Sequence, residues 1–270
     1  MPELPEVETT KRGIHPHVVN QTIQNVVIRQ ASLRWPITRG LKQKLNKQKI
    51  LTLHRRAKYL LFSTDTGHLI MHLGMSGSLR MVKHSATTRK HDHLDIVFAK
   101  QILRFHDPRR FGAVLWTSKN PLQHKLLVNL GPEPLNDNFN GEYLHTVAES
   151  KKVNIKNFIM NSHIVVGVGN IYASEALFLS GIHPQRAAGR ISRKRYDTLA
   201  EKIKLVLSNA IELGGTTLRD FVREDGSPGY FANQLNVYQQ TGKPCPVCKT
   251  PIKVRTIGQR SSFFCVQCQH

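Results

Sequence analysis

The feature that most constrains the fold of this chain is a change in the spacing of its apolar residues near the middle. Up to Thr117 the apolar runs are short, rich in β-branched residues and separated by turn residues. Beyond a stretch rich in proline and asparagine, residues 131–138, apolar residues recur every three or four positions instead. The first pattern is typical of half-buried strands and the second of amphipathic helices. The sequence therefore predicts an α+β multidomain protein, with strands first and helices second.

The first half is expected to hold eight strands spaced by roughly ten residues, a pattern typical of an antiparallel sandwich or barrel-like domain. These strands are predicted at Thr22–Arg29, Ile50–His54, Lys58–Ser63, His68–Leu73, Ser78–Val82, His93–Phe98, Ile102–His106 and Ala113–Thr117. Helices are predicted at Asn154–Asn161, Tyr172–Leu179 and Ser192–Leu213. One face of the last helix is lined by Leu199, Ile203, Val206, Leu207, Ala210 and Ile211.

All four cysteines lie close to the C-terminus, in two Cys-x-x-Cys pairs. The pairs are Cys245 with Cys248 and Cys265 with Cys268, and their separation matches a Cys₄ structural zinc site with a β-hairpin between the pairs. Four thiolates leave no open position on the metal, so the zinc ion is expected to be structural rather than catalytic. Two disulfides or free thiols are the alternatives. The intervening residues include several cations, Lys253, Arg255 and Arg260, which suit contact with phosphate.

The charge of the chain points to a polyanionic partner. There are 39 Lys and Arg residues against 18 Asp and Glu residues, a formal net charge of +21. Nucleic acid is the first candidate. An anionic membrane surface is the competing partner, but the sequence lacks the basic amphipathic helix with an aromatic-rich face that such binding favours. With neither a signal peptide nor a transmembrane run visible, the chain is expected to be cytoplasmic, and a monomer is the default expectation.

The N-terminus combines a proline with several acidic residues. Pro2 follows Met1 directly, and Glu3, Glu6 and Glu8 come soon after it. Removal of Met1, which a small second residue permits, would leave Pro2 as a secondary amine. An α-amino group is far less basic than lysine, and the positive end of a helix dipole lowers its pKa further. A nucleophilic amine beside a carboxyl group is the arrangement that imine catalysis requires. The alternative is that these residues only cap a surface helix.

Two glycine-containing segments of the second half each allow two interpretations. Gly167 to Asn170 precede a predicted helix and offer backbone N–H groups that suit a phosphate, but a simple turn between packed helices would have the same sequence. The segment from Glu224 to Tyr230 is either a linker or a loop that closes over a ligand.

Two segments of the first half place large side chains where a strand connection is expected. Arg109, Arg110 and Phe111 follow Asp107-Pro108, so they could contact phosphate and insert into a base stack. The alternative is a solvated charge pair and a core phenylalanine. Met75 lies between glycines in His72 to Gly77, where a turn would hold it outward.

Several of these motifs together resemble bacterial formamidopyrimidine-DNA glycosylase, and they occur in the order that this family shows. They are Pro2 to Glu8, Arg56 to Leu60, His72 to Gly77, Asp107 to Gly112, Gly167 to Tyr172 and the Cys₄ tail. The resemblance runs from Pro2 to the C-terminus. The opening Glu3-Leu4-Pro5 fits the purine-lesion branch better than the related endonuclease VIII branch, which acts on oxidised pyrimidines.

The resemblance implies an N-terminal β-sandwich, a helix-two-turns-helix domain and a zinc finger. On this basis residues 1–131 are expected to form the catalytic domain, 132–151 a linker, 152–235 the helical domain and 236–270 the zinc finger. The implied activity is removal of 8-oxoguanine and formamidopyrimidines from double-stranded DNA, followed by strand cleavage at the abasic site.

The resemblance also implies roles for particular residues of this chain. Pro2 would attack C1′ of the flipped nucleotide and form a Schiff base, with Glu3 moving protons. Lys58 would assist β-elimination and Arg260 δ-elimination, although phosphate binding by both is equally reasonable. DNA contacts are implied for His91, Arg110, Lys152 and Asn170. Filling of the space left by the extruded base is implied for Met75, Arg109 and Phe111.

A different class of function is a noncatalytic zinc-ribbon protein that binds DNA, suggested by the charge and the four cysteines alone. The N-terminus discriminates between the two hypotheses, because only an enzyme needs the Pro2 amine and Glu3.

Overall fold

The computed structural model describes residues 2–215 and 231–270. The loop predicted from Glu224 to Tyr230 lies outside these residues, as does Met1. The described chain divides into two compact units, one formed by residues 2–129 with 213–215 and the other by residues 130–212 with 231–270. Within the described ranges, no helix is both long and apolar enough to cross a lipid bilayer.

The first unit begins with helix α1, Leu4–Val18, and its described residues contain eight antiparallel strands. These are β1 Asn25–Ile28, β2 Thr52–Arg56, β3 Tyr59–Thr64, β4 Gly67–His72, β5 Ser78–Val82, β6 Asp92–Val97, β7 Ile102–His106 and β8 Ala113–Thr117. They form two four-stranded sheets, in the orders β1-β6-β7-β5 and β2-β3-β4-β8. The predicted sandwich and all eight of its strands are therefore confirmed.

A continuous apolar core unites α1 with the strands. It includes Val7 and Ile14 from the helix and Phe62, Leu94 and Phe105 from the strands, all fully buried. A short helix, α2 Leu41–Leu45, adds Leu41 and Leu45 to the same core. The sequence did not predict α2, because five residues are too few to show a helical period.

Two neighbouring strands of the first unit carry a buried ion pair. Asp95 on β6 lies opposite Arg104 on β7, and its carboxylate accepts two hydrogen bonds of 2.9 Å from that guanidinium. A third hydrogen bond, of 2.6 Å, comes from Arg29. Burial would raise the pKa of Asp95, but the hydrogen bonds from Arg104 and Arg29 outweigh it, so the pKa lies below its ordinary value.

We expect Asp95→Asn to lower the free energy of unfolding by about 3 kcal/mol at pH 7, because it removes the closest charged partner of the buried Arg104 guanidinium. The folded-state pKa of Asp95 is lowered, so its stabilisation is complete above the unfolded pKa and is lost as the pH falls through the folded pKa. The difference between the two proteins should therefore shrink below about pH 4. Urea titrations between about pH 3 and pH 7 measure this difference in the free energy of unfolding, and Asp65→Asn, at an exposed position, is the control. A small difference that does not change with pH would contradict the stabilising role assigned to the Asp95–Arg104 ion pair.

The second unit is helical and contains α3 Gly141–Ala148, α4 Ile155–Met160, α5 Asn170–Leu179 and α6 Arg193–Glu212. The three predicted helices correspond to α4, α5 and α6. The stripe predicted on α6 is buried, and α5 is buried along most of its length. Helix α3 was not predicted: it lies inside residues 132–151, which were expected to be a linker. Its N-cap is Asn140, whose side chain accepts a hydrogen bond from the backbone N–H of Tyr143 at 2.9 Å.

The second unit ends with a β-hairpin formed by β9, Lys253–Ile257, and β10, Arg260–Phe264. The connecting residues Gly258 and Gln259 both have positive φ, at 55° and 61°. Two such residues form the turn that matches the twist of a two-stranded ribbon. Arg260 therefore lies at the tip of the hairpin, where its side chain is exposed.

Candidate active site and metal centre

The start of α1 is buried. Pro2 is buried, and Glu3 and Glu6 are only 2% and 1% exposed. The two glutamates form a capping box, in which the backbone N–H of Glu3 donates to Oε2 of Glu6 at 2.7 Å. Caps on a surface helix keep their carboxylates hydrated, so burial of both groups beside Pro2 favours a functional site.

A third glutamate joins α1 to the turn that carries Lys58. Oε2 of Glu8 accepts a hydrogen bond of 2.9 Å from Nε of Arg55 on β2, and Nη1 of Arg55 donates to the carbonyl oxygen of Ala57 at 2.9 Å. Ala57 has a φ of 54°, and Lys58 follows it. Burial would raise the pKa of Glu8, but hydrogen bonds from Arg55 and Lys11 leave it lowered. The ion pair thus fixes the turn before Lys58 relative to α1.

His72 lies close to Lys58 and was not assigned a role from the sequence. Burial, with the nearby charges of Lys58 and Arg34, lowers its pKa to about 4. The ring is therefore neutral at pH 7. Its Nδ1 accepts a hydrogen bond of 3.0 Å from the backbone N–H of Gly74, which leaves Nε2 as an N–H donor. His72, the last residue of β4, thus offers a neutral N–H donor close to the charge of Lys58.

The residues predicted to enter the base stack lie on two neighbouring connections. Met75 is on the connection between β4 and β5, and Arg109 and Phe111 are on that between β7 and β8. Phe111 is 40% exposed, so it is not a core phenylalanine, and the guanidinium of Arg109 lies over its ring, 4.8 Å from the ring centroid. The structure brings these side chains to one end of the sandwich; their insertion into DNA stays a prediction.

His91 and Arg110 lie near the same end. Both have positive φ, at 76° and 56°, and the backbone carbonyl of His91 accepts a hydrogen bond from the N–H of Asp107 at 3.0 Å. The pKa of His91 is lowered, chiefly by partial desolvation and to a smaller extent by neighbouring charges, among them Lys90 and Arg110. Two predicted DNA contacts are therefore close to each other and to the Arg109 connection.

In the second unit, the structure joins Asn170 to the hairpin that carries Arg260. The side-chain amide of Asn170 donates to the carbonyl oxygen of Ser261 at 3.0 Å. The fully buried Lys156 donates to the same oxygen at 3.1 Å and to Oγ of Ser262 at 2.7 Å. Asn170 thus contacts the residue that follows Arg260, whereas Lys152 is exposed between α3 and α4.

The four cysteines form a compact cluster in which all sulfur atoms lie within 4.8 Å of one another. The distance is 3.9 Å between Sγ of Cys245 and Cys268 and 3.4 Å between Sγ of Cys248 and Cys265. Both exceed a disulfide bond, which measures about 2.0 Å. Tetrahedral zinc with bonds of about 2.3 Å places its sulfur ligands at about such separations. The cluster fits one structural zinc ion, as predicted.

Glu175 is a buried residue that the sequence did not single out. Its carboxylate accepts hydrogen bonds of 2.9 Å from the backbone N–H groups of Asn236, Val237 and Tyr238, and another from the side chain of Asn236. These residues precede the first cysteine pair. Glu175 therefore attaches the start of the zinc-finger segment to α5.

Comparison with known families gives a consistent result along the chain. Family models match the formamidopyrimidine-DNA glycosylase N-terminal domain at residues 1–114, the H2TH domain of the same enzymes at 130–222, and a zinc finger found in FPG and IleRS at 242–270. Curated proteins named formamidopyrimidine-DNA glycosylase from Nitrosococcus oceani and Psychromonas ingrahamii are 58% and 54% identical, with full coverage of both chains.

Solved structures show the same similarity. A Lactococcus lactis Fpg bound to DNA with an abasic site has a TM-score of 0.93 at 33% identity, with both chains covered completely. MutM (Fpg) from Thermus thermophilus has a TM-score of 0.90 at 36% identity, covering 99% of this chain and 98% of the other. A further Lactococcus lactis complex, of an Fpg mutant, contains Fapy-dG DNA.

Proposed function

The chain belongs to the formamidopyrimidine-DNA glycosylase family, and from this premise we propose that it removes oxidised purines through the nitrogen of Pro2 and then cleaves the strand. As a family member it is a DNA glycosylase of base excision repair. The substrates proposed are 8-oxoguanine and formamidopyrimidines in duplex DNA. The observation that carries this proposal is the buried start of α1, where Pro2 lies beside the carboxyl group of Glu3.

Excision would begin with attack of the Pro2 nitrogen on C1′ of an extruded nucleotide. The bond from C1′ to the base breaks, and its electron pair leaves with the base. Buried Glu3 is suited to take the proton that the Pro2 nitrogen loses after attack and to supply protons to the leaving base and the sugar ring oxygen. Opening of the sugar ring then gives an iminium ion, which is positively charged because proline is a secondary amine.

Strand cleavage would follow from that charge. The iminium ion draws electrons from C2′, so loss of a C2′ proton expels the 3′ phosphate by β-elimination. Lys58 is proposed to assist this step, with the neutral His72 beside it. A guanidinium is always protonated and is a poor acid, so Arg260 is proposed to stabilise the leaving phosphate in δ-elimination rather than to donate a proton.

The remaining predicted residues would hold the DNA. His91, Arg110, Lys152 and Asn170 are proposed as DNA contacts, of which the cations add to nonspecific binding that weakens with salt. Met75, Arg109 and Phe111 are proposed to fill the space left in the stack. The zinc ion would be held by the four cysteines and supply structural support to the hairpin that bears Arg260.

Borohydride trapping tests this proposal directly. The substrate is a duplex with one 8-oxoguanine opposite cytosine, and mass spectrometry then identifies the modified peptide. We expect a reduced covalent adduct on Pro2 of a chain that lacks Met1. If protein shown to lack Met1 binds the duplex but yields no adduct, a pyrimidine-lesion enzyme or a noncatalytic DNA-binding protein becomes the better interpretation, and a duplex with an oxidised pyrimidine separates these two.

A further inference from the structure

The two connections that carry Met75 and Phe111 are adjacent because of the sheet topology. The β4–β5 connection leaves one sheet and enters the other, and the β7–β8 connection returns in the opposite sense. Since β4 pairs with β8 and β5 pairs with β7, the two connections must run side by side. His72 lies opposite Ala113 at one end of this crossing, and Ser78 lies opposite His106 at the other.

The backbones of the two connections are in direct contact. Gly74 has a φ of +71°, and a Cβ atom built on it would lie 2.5 Å from the backbone nitrogen of Gly112. That separation is far below van der Waals contact, so only glycine allows this approach. A movement of one connection therefore has to displace the other or break the contact.

A buried hydroxyl group lies between the connections. Ser76, the residue after Met75, is 6% exposed and donates a hydrogen bond to Oδ1 of Asp107 at 3.0 Å. The same oxygen, Oγ of Ser76, accepts one from the backbone N–H of Arg109 at 3.3 Å. Oδ2 of Asp107, which is fully buried, accepts a further bond from the N–H of Gly112 at 2.7 Å. Both ends of the Arg109–Phe111 segment are thus joined to Ser76, one directly and one through Asp107.

We propose that Ser76 is a positioning residue for base extrusion, which couples the Met75 connection to the Arg109–Phe111 connection so that the three side chains enter the duplex together. Extrusion costs the stacking and pairing energy of the target base, and inserted side chains offset it only if they arrive in the right geometry. Two coupled connections lose less conformational entropy when their side chains insert into DNA than two independent connections do. This inference rests on the proposed function and assigns to Ser76 a role in it.

The first test replaces the hydroxyl group. In Ser76→Ala, and in Ser76→Cys, which keeps the volume but offers only a weak S–H donor, single-turnover excision of 8-oxoguanine opposite cytosine should fall by about tenfold, the usual effect of one lost hydrogen bond. A 2-aminopurine base opposite the lesion should show a matching loss of its stack-opening signal. Affinity for a duplex with a tetrahydrofuran abasic analogue should change by less than about threefold. The matched control is Ser85→Ala, an exposed serine beyond the other end of β5.

The second test separates coupling from general damage to the site. Met75→Ala, Phe111→Ala and the double variant are compared in two backgrounds, the unmodified chain and the chain that already carries Ser76→Ala. In the unmodified background, the double variant should lose clearly less activity than the product of the two single losses. In the Ser76→Ala background the losses should multiply, as for independent sites.

Three results would overturn the inference while leaving the proposed function intact: unchanged excision in both Ser76 variants, equal losses of excision and abasic-duplex affinity, or coupling that persists in the Ser76→Ala background. An unmodified chain that excises nothing would instead overturn the proposed function, and this inference with it.

Discussion

Replacing Pro2 with glycine is expected to abolish strand cleavage while largely sparing DNA binding. Glycine keeps an N-terminal amine, but the imine of a primary amine is neutral until it gains a proton, whereas the proline iminium is always charged. Glycine also lacks the pyrrolidine ring, which holds the nitrogen in a fixed orientation relative to Cα, so the nitrogen loses its fixed direction of attack. We expect single-turnover excision to fall by at least about a thousandfold, and affinity for a duplex with an abasic analogue to change by less than about threefold.

A stricter variant adds one residue in front of Pro2. The nitrogen then becomes an amide, which has no available lone pair, so neither excision nor borohydride trapping is expected. The same residue added after His270 is the matched control, because it changes the length of the chain but not the amine. Cleavage by the N-terminally extended chain, after mass spectrometry shows that the extra residue is retained, would exclude Pro2 as the nucleophile, as would full activity of Pro2→Gly.

Removal of zinc is expected to weaken DNA binding by at least about tenfold and to abolish excision. The segment that carries Arg260 is a two-stranded hairpin, which is marginally stable by itself. Its apolar cluster is small, and two of its buried members, Cys245 and Cys265, are zinc ligands. Without the metal, the hairpin should no longer hold Ser261 against Asn170, and the backbone of the adjacent Arg260 should lose its position. Anisotropy of labelled abasic-analogue duplex, measured before and after chelation, gives the affinity, and elemental analysis confirms the metal loss.

Two kinds of control show that the loss is due to the metal and how much of it comes from the Arg260 side chain. Restored zinc should recover both binding and excision, which excludes irreversible damage. Arg260→Ala with zinc retained shows how much of the loss comes from this one side chain, and Lys253→Ala, an exposed cation on the same hairpin, gives the effect of charge alone. Retained affinity and activity after verified metal loss would reject the role assigned to the hairpin.

The elements of this fold were largely predictable because their signals are local. The eight strands and the helices α4, α5 and α6 of the second unit each show a period within a few residues. Helix α3 is harder to predict, because it follows the proline- and asparagine-rich residues 131–138, whose composition indicates a linker, although Asn140 supplies an N-cap for a helix at Gly141–Ala148. The pairing of the strands across the two sheets has no comparable local signal.

The residues of the candidate site also divide into those with a local signal in the sequence and those without one. The zinc ligands were predictable because the spacing of cysteines in sequence determines their chemistry. Ser76 and Glu175 were not, because their partners are distant in sequence: Asp107 is 31 residues from Ser76, and Asn236 is 61 residues from Glu175. His72 belongs to the motif from His72 to Gly77, but only the structure shows that its ring is buried close to Lys58. Residues that act through such contacts become visible only when the fold is known.

The zinc-finger segment is attached to the helical unit at both of its ends. At one end, Glu175 accepts hydrogen bonds from residues 236–238. At the other end, the N–H of His270 donates to the carbonyl oxygen of Gly181 at 3.1 Å, and the side-chain amide of Gln269 donates to the carbonyl oxygen of Ile182 at 2.9 Å. If the metal is lost, the segment therefore unfolds as a closed loop rather than as a free tail. A closed loop samples fewer conformations, which keeps the four thiols at high effective concentration for one another. Recapture of a metal ion should accordingly be faster than it would be from a segment attached at one end only.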